Sequence, residues 1–150
     1  MNRQLKFRAW HKTRHKLLPV VKINWFRVGD DRFEVTVKDE SDFGGEYLWL
    51  YHEIELMQST GLTDKNGKEI HESDIIYDED REHLYIIEQR DWGWGCKPIN
   101  YDDSYPALTS GTMDSYVVIG NIHQNPELLS SYPENPEDLD KNPQTSKTKP

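Results

Sequence analysis

The sequence predicts a mainly β protein, with a β-rich α+β fold as the alternative and a small barrel or roll in its second half. Three observations predict this: several short runs alternate apolar and polar residues, turn residues recur roughly every ten positions, and aromatic residues are abundant, with five Trp and eight Tyr. Alternation with a period of two buries one face of a strand. Many short strands between regular turns are typical of small β-barrels and rolls.

The N-terminal region, residues 1–55, is predicted to form strands that include a β-hairpin. Residues 5–10, LKFRAW, alternate apolar and basic side chains, and the basic run HKTRHK after them predicts a turn. Residues 17–28, LLPVVKINWFRV, then form the second strand of the hairpin. A third strand is predicted at residues 32–38, RFEVTVK, because the alternation resumes there.

The next region, residues 56–129, is predicted to be the barrel-like part. The run EYLWLYHEIELMQSTG at residues 46–61 admits a short helix or one or two strands, and its β-rich opening favours a strand. Asn66 and Gly67 predict a hairpin turn, because both residues tolerate positive φ. Further strands are predicted at residues 74–77, 83–89, 92–101 and 115–122.

Two local patterns refine the C-terminal strands. The run WGWGCKPINY contains Gly93 and Gly95, which indicate a bulge or a close approach of another group to the backbone. Asn125 and Pro126 end the last strand, and the string PELL that begins at Pro126 is predicted to form a single helical turn.

The final residues, 130–150, are rich in Pro and in charge and are nearly devoid of apolar residues. Such a segment buries too little apolar surface to offset the entropy lost on ordering, so it is predicted to be a disordered polar tail. The sequence therefore predicts a single domain over residues 1–129. This domain comprises the strands of residues 1–55 and the barrel-like part of residues 56–129.

The charge of the chain is distributed unevenly. The formal net charge is -9, but residues 1–29 contain eight Lys and Arg and no Asp or Glu, so they carry +8 and the remainder carries -17. Opposite charges in two parts of a chain indicate either pairing between a basic strand pair and an acidic body or a basic surface for an acidic partner such as nucleic acid. Both interpretations are open at this stage.

The single cysteine, Cys96, excludes an intramolecular disulfide and favours a reducing cytoplasm. The N-terminus has no apolar run typical of a signal peptide, and no stretch approaches the roughly 20 apolar residues needed to cross a bilayer. We therefore expect a soluble, cytoplasmic protein without a membrane partner.

The residue patterns predict no catalytic, cofactor-binding or metal site. An EF-hand loop that began at Asp64 would place Glu69 where Gly is needed and Ile75 where a bidentate Glu is needed. The histidines lack the HExxH spacing, Cys96 lacks a CxxC partner, and no GxSxG motif is present. We therefore expect Cys96 to be a small buried residue and the protein not to be an enzyme.

Two groups of residues are candidates for binding a partner. Trp92, Trp94 and Tyr101 form an aromatic series, and Trp92 and Trp94 are two positions apart, so they share one face if the strand is regular. That face is either part of the core or, if exposed, a site for a ligand or partner. The second group is basic, lies in the N-terminal strands, and consists of Arg8, Arg14 and Lys16.

Three strings in this sequence resemble those of a known family. KFRAW at residues 6–10, LMQSTGLTDKNGKEIHESDII at residues 56–76 and VIGNIHQNPELL at residues 118–129 stand in the order typical of the YopX family. Members of this family are small proteins of bacteriophages and prophages without an established role. The resemblance implies a β-rich fold with a barrel of the SH3-like type in the C-terminal half, and self-association is in keeping with it.

Two positions depart from the usual strings of that family. Ser73 stands where Gly is usual, and His11 follows KFRAW where Asp is usual. If residue 73 has a positive φ, Ser73 strains the turn by very roughly 1 kcal/mol.

The resemblance and the lack of a catalytic pattern together predict a non-enzymatic accessory protein of a phage or prophage, located in the cytoplasm of a bacterial host. We expect it to bind a host or phage protein, or a second copy of itself as a homo-oligomer, without a cofactor. The alternative is a nucleic-acid-binding protein that uses the basic N-terminal strands.

Overall fold

The computed structural model of the protein describes the backbone of residues 5–28, 30–39, 45–99 and 105–130. In these ranges the chain is mainly β and its sheets are antiparallel, as the sequence predicts. The chain divides into two compact units, Met1–Ser59 and Thr60–Pro150. Of the predicted polar tail, residues 130–150, only Ser130 is described, and it ends the last helix, whereas residues 131–150 lie outside the described residues.

Strands account for most of the described chain. They are β1 (Phe7–His11), β2 (Lys16–Val28), β3 (Asp30–Asp39), β4 (Gly45–Leu50), β5 (Ile54–Thr63), β6 (Glu69–His71), β7 (Asp74–Asp78), β8 (His83–Arg90), β9 (Gly93–Pro98) and β10 (Tyr116–Asn121). The ambiguous residues 46–61 form most of β4, a 3-10 turn at Tyr51–Glu53 and most of β5.

Helices are few in the described ranges. A second 3-10 helix spans Ser110–Ser115, and a short α-helix, α1, spans Glu127–Ser130. The position of α1 confirms the single helical turn predicted for the string PELL. Within the described ranges, no helix is long and apolar enough to cross a membrane.

The first unit is built on an antiparallel sheet in the order β4-β3-β2-β1-β5. The predicted hairpin of β1 and β2 is confirmed, since His11 pairs with Lys16 across the basic turn. The apolar side chains of these strands meet in one cluster, whose buried members are Ala9, Leu18, Val35, Val37 and Ile54.

The hairpin of β2 and β3 extends beyond the strands beside it. β1 pairs with residues 16–19 of β2, and β4 pairs with residues 34–39 of β3. Residues 25–28 and 30–33 therefore pair only with each other among the described strands. The side chain of Trp25, at the start of this two-stranded extension, is 72% exposed.

The second unit contains a four-stranded antiparallel sheet in the order β10-β7-β8-β9. The described strands form an open sheet and do not close into a barrel. β6 lies beside β5, and the turn between them contains Asn66 and Gly67. Gly67 has a φ of +82°, which the predicted hairpin turn requires.

Both faces of the four-stranded sheet are apolar over part of their length. The inner face carries a cluster whose buried members are Ile70, Ile76, Tyr85, Ile87, Cys96, Leu108, Met113, Tyr116 and Val118. On the opposite, outer face, Leu84 and Ile99 belong to a second cluster, against which Leu128 and Leu129 of α1 pack. The outer face is thus covered by α1 at the end where Leu84 and Ile99 lie.

Candidate functional site: an aromatic platform on the outer face

An unusual backbone conformation at Gly93 separates the two tryptophans near the β8–β9 turn. β8 and β9 form a hairpin in which Arg90 pairs with Gly93, and residues 91 and 92 form the turn. Gly93 has a φ of +133°, a region that residues with a side chain rarely adopt. Trp92 therefore does not continue the alternation of β9.

The two indoles lie in different environments as a result. Trp94, inside β9, is partly buried and packs against the inner-face cluster. Trp92 is 58% exposed and lies over the backbone of Gly95 on the other face. Trp92 and Trp94 were predicted to share a face only if the strand is regular, and this condition fails because Trp92 lies in the turn before Gly93, whose φ is +133°.

Gly95 is the point at which the exposed side chains meet. A Cβ atom placed on Gly95 would lie 3.1 Å from Cη2 of Trp92 and 3.2 Å from Cγ of Arg90. Trp94 and Cys96, on either side of Gly95 in the sequence, contribute to the inner face, so this Cβ direction defines the outer face. The indole and the arginine stem therefore occupy space that only a glycine leaves open.

A further segment, residues 105–109, extends the sheet beside β9. Gly95 forms an antiparallel bridge with Ala107, and backbone hydrogen bonds donated by Cys96 and Leu108, both of 2.9 Å, join the segment to β9. Residues directly opposite each other in an antiparallel pair share a face. Ala107 therefore lies beside Gly95 on the outer face.

Arg90 and Tyr105 form a cation–π pair. The guanidinium carbon of Arg90 lies 4.4 Å from the centroid of the Tyr105 ring, inside the limit of about 6 Å for this interaction. Arg90 also forms an ion pair with Glu88, which pairs with Gly95 across the hairpin. Tyr105 is 40% exposed. We define the aromatic platform as Arg90, Trp92, Gly95, Tyr105 and Ala107.

The platform has the composition of a recognition surface. Trp92 and Tyr105 offer exposed ring surface that loses little conformational entropy on binding. Arg90 is held in place by Tyr105 and Glu88, so the orientation of its charge is fixed. Lys97 is exposed, and alternation from Gly95 places it on the same face. Basic and aromatic groups thus lie together.

Cys96 lies below the platform on the inner face and is fully buried, as the sequence predicts. Burial raises the pKa of its thiol to about 12, and a hydrogen bond with Tyr116 offsets this only in part. A protonated thiol is a poor nucleophile at neutral pH. Among the described residues, no group of three or more His, Cys, Asp or Glu side chains is placed to hold a metal ion.

The basic candidates all lie in the first unit. Arg8 is half-buried in β1, Arg14 is exposed in the turn that follows, and Lys16 is half-buried at the start of β2. Lys12, in the same turn, forms an ion pair of 3.0 Å with Glu55. At least one basic side chain of this region is therefore paired with an acidic residue of the chain itself.

The sequence patterns do not predict Arg90, Tyr105 or Ala107 as site residues, and the candidate Tyr101 lies outside the described residues. The glycine pair Gly93 and Gly95 was the available signal. It predicted a close approach to the backbone, and the indole over Gly95 confirms that approach. Tyr105 has no comparable local signal, because only the bridge between residues 95 and 107 brings its segment to β9.

The chain matches a family model, described as YopX protein, over residues 6–130. The chain belongs to the YopX family. The crystal structure of protein EF1440 from Enterococcus faecalis is similar, with a TM-score of 0.59 and 28% sequence identity over 84% of this chain and 98% of that chain. No curated protein matches the chain.

The central YopX string fixes the β5–β6 turn through Asp64. Its buried carboxylate accepts backbone hydrogen bonds of 2.9 Å from Asn66 and from Lys68 within the turn. The same carboxylate accepts a third, of 3.0 Å, from the backbone N–H of Val118 in β10. Since Val118 begins the closing YopX string, one side chain joins the two strings.

The departure at Ser73 has a structural consequence. Ser73 has a φ of +66°, the condition under which the resemblance predicted strain for a residue other than Gly. Its backbone N–H donates to Ile87 (2.7 Å) and its carbonyl accepts from Ile122 (3.0 Å). Asp74 closes the same turn by accepting a 2.8 Å hydrogen bond from the backbone N–H of His71. Ser73 therefore lies in the left-handed region that favours glycine, with both of its backbone polar groups hydrogen-bonded.

His11, which stands where Asp is usual, still provides a hydrogen-bond acceptor at this position. His11 is buried, and its Nδ1 atom accepts a 3.2 Å hydrogen bond from the backbone N–H of Arg14. A carboxylate of the Asp usual in YopX proteins can accept from the same position. Burial, with a smaller contribution from the charge of Arg14, lowers the pKa of His11 below 6.5, and Glu53 opposes this in part. His11 therefore accepts as a neutral imidazole.

The YopX strings supply none of the platform residues. The strings end before Arg90 and resume after Ala107, whereas the side chains within them make the turns at Asp64, Ser73 and Asn121. The features that identify the family thus build the scaffold, and the platform lies in the intervening sequence.

Proposed function

We propose that this YopX protein is a non-enzymatic accessory protein of a bacteriophage or prophage that binds a partner protein through the aromatic platform. The single observation that supports this is the exposure of Trp92 and Tyr105 on one face with Arg90 held against the Tyr105 ring. Trp, Tyr and Arg are the residues most enriched among the energetic centres of protein interfaces. The partner is a phage or host protein in the bacterial cytoplasm.

An SH3-like arrangement of the second unit fits this role. Small β-rolls of that type bind extended peptides on exposed aromatic residues. In this proposal the strands β7 to β10 are the scaffold, and the segment that contains Tyr105 and Ala107 completes the binding edge beside β9. No cofactor takes part, because recognition depends only on ring faces and charges.

The experiment that tests this function is capture of partners from lysate of phage-infected host cells. Tagged full-length protein is compared with Trp92→Ala and Tyr105→Ala, and Trp25→Ala is the control for an exposed tryptophan outside the platform. We expect to capture a partner protein that stays bound after nuclease treatment. Its capture should be lost with Trp92→Ala and with Tyr105→Ala and retained with Trp25→Ala. Retention of every captured protein by Trp92→Ala and Tyr105→Ala would exclude the platform as the binding surface.

Nucleic-acid binding through the basic turn after β1 is a second candidate function. The exposure of Arg14 and Lys12 in that turn favours it, and the ion pair of Lys12 with Glu55 reduces the available charge. Under this function the affinity for DNA falls steeply with salt, and charge reversal at Arg8, Arg14 and Lys16 abolishes it. A flat gel-shift titration at low salt removes this candidate.

A further inference from the structure

The segment beside β9 has a backbone edge that faces away from the sheet. Its hydrogen bonds to β9, both of 2.9 Å, run from Cys96 to the carbonyl of Pro106 and from Leu108 to the carbonyl of Trp94. Because successive residues of a strand direct their backbone groups to opposite sides, those of Ala107 point away from β9. Within the described ranges, the N–H and the C=O of Ala107 have no hydrogen-bond partner. Such an edge is a template for pairing with another chain.

The neighbouring residues leave this edge accessible. Ala107 is exposed, and the chain then enters the 3-10 helix Ser110–Ser115, whose Met113 belongs to the inner-face cluster. The helix therefore packs on the inner face and does not run along the edge. Pro106 does not interrupt the edge either. Its carbonyl accepts from Cys96, so its nitrogen, which carries no hydrogen, faces β9 as well.

The platform provides contacts for one side chain of an added strand. A residue directly opposite Ala107 would share the outer face with it, at a Cβ–Cβ distance of about 4.5–5.5 Å. Since the side chain of Ala107 ends at Cβ, a larger side chain opposite can extend over it toward the Trp92 ring, which lies over Gly95. Tyr105, two positions before Ala107, is a diagonal neighbour within reach of an aromatic or long side chain. An apolar residue suits this position.

The described charges around the platform balance one another. Arg90 and Lys97 are basic, whereas Glu88, which is paired with Arg90, and Asp91, which is exposed in the adjoining turn, are acidic. This balance gives no net attraction for a polyanion or for a strongly charged peptide. An uncharged extended strand complements the surface, because its backbone groups match the open edge and its apolar side chain meets the rings.

We propose that the partner protein binds as an added β-strand beside Ala107, through an uncharged segment whose apolar residue lies against Trp92 and Tyr105. The inference rests on the proposed function, since it names the chemistry by which the same platform recognises its partner. Backbone hydrogen bonds to the N–H and C=O of Ala107 supply affinity, and the rings select the side chain that faces them.

The test uses a defined probe, a peptide selected on the full-length protein from a library of heptapeptides made of uncharged residues. Peptides that also bind Trp92→Ala are discarded, so the retained peptides depend on the platform. We expect Ala107→Pro to weaken a retained peptide at least about tenfold, because proline removes the N–H and its ring occupies the edge. Fluorescence anisotropy of the labelled peptide measures the affinity.

The matched control is Ser110→Pro, which places a proline in the same segment outside the platform. Ser110 is the first residue of its 3-10 helix, a position that suits proline. Thr109 before it has a φ of -132° and a ψ of 163°, a conformation that a following proline allows. We expect this variant to bind the peptide as tightly as the wild type does.

Methylation of the peptide's backbone nitrogens, one at a time, tests the same pairing on the unaltered protein. In an added strand only alternate N–H groups face the edge, so we expect losses of about tenfold at alternate positions and none between them. This series decides the matter if Ala107→Pro fails to fold or if Ser110→Pro weakens binding equally.

Methylated peptides that all bind alike overturn strand addition, as they would for a polyproline II ligand. A library that yields no peptide dependent on Trp92 overturns it as well. In either case, capture of a partner from infected lysate that still depends on Trp92 leaves the proposed function standing, whereas loss of that dependence removes both.

Discussion

Asn125 occupies the space that a side chain at Gly120 would need. A Cβ atom on Gly120 would lie 2.7 Å from Cγ of Asn125 and closer still to its Oδ1. Asn121 holds Asn125 in this position, because its carbonyl accepts a 2.9 Å hydrogen bond from the Asn125 backbone and its own N–H donates to Oδ1 at 3.3 Å. The closing YopX string therefore requires glycine at residue 120, because any side chain there would collide with Asn125.

Substitution of Gly120 by Ala is expected to destabilise the protein, because the added methyl group must displace Asn125 from its hydrogen bonds. Overpacking of this kind costs about 1–3 kcal/mol. Urea denaturation measures the change in free energy of unfolding. Gly111→Ala is the control, since a Cβ atom there meets only Oγ1 of Thr109 at 3.8 Å. Equal losses in the two variants would contradict the contact.

Asp64→Asn is expected to destabilise the second unit by about 1–3 kcal/mol, because the amide nitrogen of Asn cannot accept a hydrogen bond. At least one of the backbone donors Asn66, Lys68 and Val118 then loses its acceptor. Thermal and urea denaturation measure the loss. The control is Asp91→Asn, at an exposed position. If Asp64→Asn is as stable as this control, the three hydrogen bonds to the Asp64 carboxylate contribute nothing to stability.

Ser73→Gly is expected to stabilise the protein by up to about 1 kcal/mol, since glycine adopts a φ of +66° without strain. The gain is reduced because glycine also raises the entropy of the unfolded chain. Ser73→Ala separates the two explanations of any change. Alanine keeps the backbone strain, so an equal gain with alanine would assign the effect to loss of the serine hydroxyl instead.

The stability of the β1–β2 turn is expected to fall as the pH decreases below about 6.5, the ordinary pKa of histidine. The pKa of His11 is lowered in the folded protein, chiefly by burial and then by Arg14, so the unfolded chain takes up a proton at a higher pH than the folded chain. The unfolded state binds more protons in that window, and the free energy of unfolding therefore rises with pH there.

The variant His11→Asn tests this pH dependence, because its side chain keeps an acceptor and does not titrate. The difference in free energy of unfolding between the wild type and the variant is expected to change by at most about 1.4 kcal/mol per pH unit below pH 6.5. Denaturation series at several pH values measure it. A difference that stays constant across the window would assign no role to His11.

Gly95→Ala is expected to disrupt the platform without unfolding the sheet. The new methyl group meets Cη2, at the end of the Trp92 ring, at 3.1 Å and Cγ, in the stem of Arg90, at 3.2 Å, so both side chains must move. We expect partner capture to fall as it does in Trp92→Ala, while the overpacking lowers the free energy of unfolding by no more than about 1–3 kcal/mol. Unchanged capture would show that the position of the indole over residue 95 does not matter for binding.

Local patterns were sufficient to predict the strands. The alternation in residues 5–10 and the turn residues Asn66 and Gly67 act between near neighbours, so the hairpins they predict are present. The order of the strands in the sheets could not be derived in this way. It depends on distant contacts such as the hydrogen bond from Val118 to Asp64, which joins residues 54 positions apart.

The candidate site was predicted in part for the same reason. The residue type of Trp92 identifies it as a candidate, but the alternation could not fix its face, because the strand is not regular at Gly93, whose φ is +133°. Tyr105 was missed because its place beside Arg90 depends on the bridge between Gly95 and Ala107. The period of apolar residues in a sequence depends neither on one backbone dihedral angle nor on a contact between distant segments.

The conformation of Gly93 also separates the physical constraints on two neighbouring tryptophans. Trp94 contributes to the interior, so its replacement is limited by packing. Trp92 lies outside, where a substitution changes the surface and leaves the interior as it is. One glycine thus allows the exposed surface of the hairpin to change by substitution while its interior stays the same.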